Sequence, residues 1–125
     1  MILIGHALVA YEPFYAIQTS EQIAKTPSNA PLFFHFDAKL CDYCKKNQLI
    51  FALHVKNIQE LILGNALGAS YFIVDKSLAI NAQKVADDYL FDGKVLLLAS
   101  DENEIEFVAF NAIDGIIFEK GILPL

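Results

Sequence analysis

From residue 32 to residue 118 the chain repeats one rhythm: a short, largely apolar run, then a segment with helical spacing. The apolar runs are residues 32–36, 49–55, 71–74, 94–99 and 113–118. The segments between them, near 38–47, 58–67, 78–90 and 105–112, read as helices. The clearest places Leu78, Ala82, Val85, Ala86, Tyr89 and Leu90 on one face, a match to the 3.6-residue period. Ile105, Val108, Ala109 and Ala112 line the next. Asn57 with Glu60 reads as a helix start, and Gly68 and Gly93 as helix stops. Strands apolar throughout, each separated by one helix, imply a parallel sheet covered by helices. Right-handed crossovers follow.

The first thirty residues differ. Residues 2–4 and 7–9 read as strand around Gly5-His6, and 14–17 as a second short strand. Thr19 with Gln22 has capping-box spacing for a short helix that stops before Pro27. The six turn-forming residues 26–31 connect this part to the repeat. Five regular strands plus one or two at the N-terminus make six or seven. A closed eight-stranded barrel ordinarily takes roughly 200 residues or more, so 125 residues point to an open sheet. The expected fold is one α/β domain over residues 1–125: a mainly parallel, flavodoxin-like or Rossmann-like three-layer sheet with helices on both faces.

Composition narrows the partners. The chain is 55% hydrophobic and 19% charged, an apolar excess that predicts either a large covered core or a face buried in a homodimer. Net charge is −6 and all nine basic residues are lysine. Without arginine there is no bidentate fork for phosphate, so nucleic acid is not an expected partner. No stretch is long and apolar enough to span a membrane. The apolar N-terminus lacks a basic n-region and a small-residue cleavage site. Two cysteines spaced C-x-x-C make no secreted disulfide framework, which points to the cytoplasm.

In open parallel sheets, ligands bind beyond the carboxyl ends of the strands. The candidates there are Asp37 after the first regular strand, His54 and Lys56 at the second, and Asp75-Lys76 at the third. Ser100-Asp101 follow the fourth and Glu119-Lys120 the fifth. His54 is the candidate acid–base group, with Asp37 and Asp75 as carboxylates. Lys56, Ser100, Asp101, Lys120 and His6 are candidate ligand contacts. His35, between two phenylalanines, reads as a core residue. Polar residues at strand ends also serve as helix caps, an equally available reading of the aspartates. Three histidines without ligand spacing call for no zinc site, and nothing calls for a cofactor.

Three local resemblances add expectations. The run Phe36-Asp37-Ala38-Lys39-Leu40-Cys41-Asp42-Tyr43-Cys44-Lys45 looks like a thioredoxin or glutaredoxin active site, which implies redox roles for Cys41 and Cys44. The same residues also read as a helix whose Leu40, Cys41 and Cys44 face the sheet. Residues 95–100 and 115–120, ending in Ser100 and Lys120, resemble a response-regulator receiver. That resemblance implies a phospho-acceptor at Asp75 and a first-strand acid at Asp37. The chain departs from the receiver pattern where Lys76 follows Asp75 and Gly121 follows Lys120. Residues 68–74 and 112–117 look like strand–helix repeats of TIM-barrel enzymes, whose phosphate sites follow the last strand; here Glu119-Lys120 stand there. The expectation is a non-catalytic small-molecule-binding or regulatory module acting as a homodimer. The alternatives are an enzyme or phospho-receiver using the rim, and a thiol redox protein.

Overall fold

Eight strands lie side by side in one sheet, and every neighbouring pair runs parallel. The computed structural model describes the whole chain, Met1–Leu125. The strands are β1 (Ile2–Ile4), β2 (Phe14–Ala16), β3 (Leu32–His35), β4 (Phe51–His54), β5 (Tyr71–Val74), β6 (Lys94–Ala99), β7 (Gly115–Phe118) and β8 (Ile122–Leu123). Helices α1 (Ala38–Lys46), α2 (Ile58–Ala66), α3 (Lys76–Asp88) and α4 (Glu104–Phe110) fill the four connections from β3 to β7. The sheet order is β1-β7-β6-β5-β4-β3-β2-β8. The α/β class and the open parallel sheet are as expected from the sequence; the strand count is eight rather than six or seven.

The sheet is strongly curled. Phe14 on β2 and Tyr71 on β5 have ring centroids 5.0 Å apart, although β3 and β4 lie between them. Three strand spacings measured along a flat sheet are about 14 Å, so this face must be concave for the rings to meet. Curling brings the two edge strands together without hydrogen-bonded pairing. A Cβ added to Gly5, just past β1, would lie 2.7 Å from the backbone nitrogen of Gly121, just before β8.

Alternation along the strands divides the interior in two. The larger core takes Leu32 and Phe34 from β3, Phe51 and Leu53 from β4, and Phe72 and Val74 from β5. Against them pack Leu40, Cys41 and Cys44 of α1, Leu61 of α2, Ala79, Ala82 and Ala86 of α3, and Val108 of α4. The smaller core comprises Ile4, Phe14, Phe33, Ala52, Ile73, Leu96 and Ile117, all from strands. The helices therefore gather on the convex face alone, not on both faces in three layers as expected, because the curled concave face packs against itself and leaves no room for a helix layer. A buried polar bridge secures one side of this arrangement. Gln83 of α3 accepts from the Asp114 N–H at 2.9 Å and donates to Asp87 at 2.9 Å. The Asp114 carboxylate accepts from the Val95 N–H at 2.9 Å.

Local expectations hold in part. Asn57 caps α2 by accepting from the Glu60 N–H at 2.9 Å, and Glu60 accepts from the Lys56 N–H at 2.8 Å. Gly68 ends the turn after α2 with φ +93°, a conformation that favours glycine. Residues 7–9 are a turn instead of a strand, with Leu8 88% exposed. Helix α3 stops at Asp88, because Leu90 takes a left-handed φ of +55°. Tyr89 and Leu90 are thereby exposed instead of facing the core. On α4 the packing residues are Ile105, Phe107 and Val108, while Ala109 faces solvent, as does Ala112 beyond the helix end. No helix is long and apolar enough to cross a membrane.

Candidate functional site

Parallel strands put all their carboxyl ends at one mouth of the curled sheet, and the three histidines of the chain stand there. His35 and His54 are the last residues of β3 and β4 and are register partners. Their ring centroids are 5.0 Å apart, and Phe33 stacks on His54 with centroids 6.2 Å apart. His6 follows Gly5 at the end of β1.

Two of the three groups proposed for acid–base work come together. His54 Nε2 lies 3.3 Å from Asp75 Oδ1. Asp75 holds the N-cap position of α3 but makes no side-chain cap hydrogen bond; its carboxylate turns to the imidazole instead. Asp37 does not join them. Its Oδ1 accepts from the Leu40 N–H at 3.1 Å and caps α1. Asp101 is likewise used locally, accepting from the Asn103 N–H at 2.8 Å. Lys56 contributes its backbone N–H to the α2 cap.

A second group lies across the mouth. His6, Ser100, Glu102, Glu119 and Lys120 line an open cavity of about 310 Å³. His6 Nε2 lies 3.1 Å from Glu102 Oε2, and its Nδ1 accepts from the Leu8 N–H at 3.1 Å. A backbone N–H only donates, so Nδ1 carries no proton and the Nε2–H of His6 points at Glu102. Both ring nitrogens of His6 are thus engaged within the protein. Beside His35 a further cleft of about 320 Å³ is lined by Gln18, Gln22, Phe33 and Leu125, among others.

Sequence reasoning placed His35 in the core and did not single out Glu102. His35 is exposed, because a strand's last residue meets water even when its neighbours are apolar. The signal was available: Leu-Phe-Phe-His and Phe-Ala-Leu-His end β3 and β4 alike, so one histidine at the rim implies the other. No three His, Cys, Asp or Glu side chains converge in a metal-holding group.

Cys41 and Cys44 are free thiols with no solvent exposure, inside the larger core. Burial pushes both thiols up from about 9 to about 11, outweighing for Cys41 the opposing backbone hydrogen bond of Asp37. A reactive thiol needs the reverse. Iodoacetamide at neutral pH is therefore expected to modify neither cysteine in the folded protein and both after denaturation. Because the folded thiols titrate higher than unfolded ones, they favour the folded state below about pH 9, and that contribution is lost as pH rises towards about 11. Rapid labelling of Cys41 in the native protein would contradict this.

Comparison with models of known protein families gives no match, and comparison with curated protein sequences gives none either.

Proposed function

We propose that this chain is a small-molecule-binding module that takes its ligand at the carboxyl-end mouth of the curled sheet and acts as a cytoplasmic homodimer. The observation that carries the reading is the convergence of His35, His54 and Asp75 next to an open cleft. Sites of this kind combine apolar walls with a few convergent polar groups. The test is a histidine-detected NMR titration with a panel of glucose, L-serine, ethanolamine, citrate and inorganic phosphate at millimolar concentration. The expected result is that at least one compound moves the His35 and His54 ring signals together. A panel that leaves both rings unmoved, or moves only His6, argues against this mouth as the binding site.

The bonded His54–Asp75 pair supports a second reading, acid–base catalysis with His54 carrying the proton. It is favoured over a phospho-receiver because Asp75 is engaged by His54 and Asp37 by the α1 cap. His54→Gln separates the two roles: a catalyst loses turnover and keeps binding.

Exposed apolar side chains support the dimer. Ile62 and Leu63 on α2 are 47% and 44% exposed, and Ile80 on α3 is 50% exposed. Sedimentation should show a dimer at micromolar concentration that Ile80→Glu dissociates. A monomeric parent protein removes the dimer from the proposal.

A further inference from the structure

The two histidine–carboxylate pairs of the mouth hold their protons alike, yet only one leaves a nitrogen free for a ligand. An ionised carboxylate only accepts hydrogen bonds. Asp75 Oδ1, 3.3 Å from His54 Nε2, therefore takes a hydrogen bond from Nε2–H. In the neutral ring the lone pair is then on Nδ1. The only hydrogen bond of the His54 ring is the one to Asp75 through Nε2. Nor is Nδ1 a buried atom without a partner, since the molecule has no such side-chain atom, so it reaches solvent at the mouth. His6 differs at this one point: its Nδ1 is already taken by the Leu8 N–H.

We propose that His54 Nδ1 is the ligand-facing atom and acts as an acceptor, so that the mouth selects molecules presenting a hydroxyl or an ammonium group to it. Asp75 is a positioning residue that enforces this choice from behind the ring. The surroundings favour the same class. Asp75, Glu102 and Glu119 add three carboxylates around the opening against the one ammonium of Lys120 that lines it with them, and the chain has no arginine. An anion there would meet a net excess of like charge, whereas a donor group finds acceptors. The inference rests on the binding reading above and adds the polarity of the ligand.

The tautomer is read without any ligand, so its failure is distinguishable from a failure of binding. Long-range ¹H–¹⁵N spectra of the labelled full chain at about pH 8, above the usual histidine range, should show His54 fixed with Nε2 protonated and Nδ1 bare. Asp75→Ala should draw the two nitrogen shifts towards each other as the tautomers mix. Addition of ethanolamine should then move His54 Nδ1 several-fold more than inorganic phosphate does at equal concentration. His54 protonated on Nδ1, or a tautomer indifferent to Asp75→Ala, overturns the assignment. A larger response to phosphate, or no response of Nδ1 to either probe, overturns the donor selectivity.

Discussion

Gly5→Ala is expected to cost the fold about 2–5 kcal/mol, the sum of a backbone and a packing penalty. Gly5 has φ +94°, which costs an L residue roughly 1–2 kcal/mol. The added methyl would also sit 2.7 Å from Gly121 N and 3.1 Å from Phe118 O. Both neighbours are backbone and cannot rotate away, so relief requires moving the crossing of β1 and the β7–β8 segment. Overpacking of that kind costs about 1–3 kcal/mol. Gly68→Ala supplies the control. Its φ is +93°, but the nearest atoms are the Lys45 side chain, from 3.5 Å outward. It carries the conformational penalty without the clash and should lose about 1–2 kcal/mol. Urea unfolding of both variants measures the difference. Equal losses would mean that the edge strands do not need their close approach.

How far the sequence discloses this fold depends on how each strand is connected. Strands β3 to β7 are legible because they are runs of four to six largely apolar residues separated by one helix each, giving both periods enough length to register. β1 and β2, with three residues each, match the runs 2–4 and 14–17 read as strand, whereas β8, with two residues, is too short for any period. The placement of β8 beside β2 depends on pairing Phe14 with Ile122, a contact that local pattern does not encode. The expected strand count was low for the same reason. It took residues 113–118 as the last strand, whereas β8 follows at Ile122–Leu123, and no α-helix joins β1 to β2, β2 to β3 or β7 to β8. Omitting those helices lets eight strands fit in 125 residues.

The mouth was legible as a set of strand ends, but its internal pairing was not. Asp37 and Asp75 occupy equivalent positions in sequence, each between a strand and a helix. The first caps its helix and the second bonds His54, a division that requires knowing which neighbour stands across the sheet. Tyr89 and Leu90 fit the helical stripe of α3 by spacing, yet the left-handed turn at Leu90 removes them from it. Spacing alone cannot show where a helix stops, and Gly93, read as the stop, lies five residues beyond the last helical residue, Asp88.

Removing the side chain at Phe14 should be among the most damaging single changes in the molecule, with Phe14→Ala losing about 3–5 kcal/mol. Phe14 is 2% exposed and belongs to the core built only of strand residues. Its ring meets Tyr71 at 5.0 Å with planes inclined by 47°. No helix side chain lies on this face to move into the space, and strands already paired on both edges cannot collapse inward. The void therefore stays open and its lining loses contacts. Thermal unfolding should drop by roughly 12–20 °C, at about 4 °C for each kcal/mol in a domain between the small and the larger size classes. A double-mutant cycle with Tyr71→Ala tests the geometry directly. If the curled face brings β2 and β5 together, the two losses should fall short of additivity by about 0.5–1.5 kcal/mol, as coupled aromatic pairs do. In a flat sheet the residues would stand about 14 Å apart, too far to interact, and the losses would simply add. A measured coupling near zero would thus remove the concave core, and with it the physical reason for a mouth at which His35, His54 and Asp75 can share a ligand.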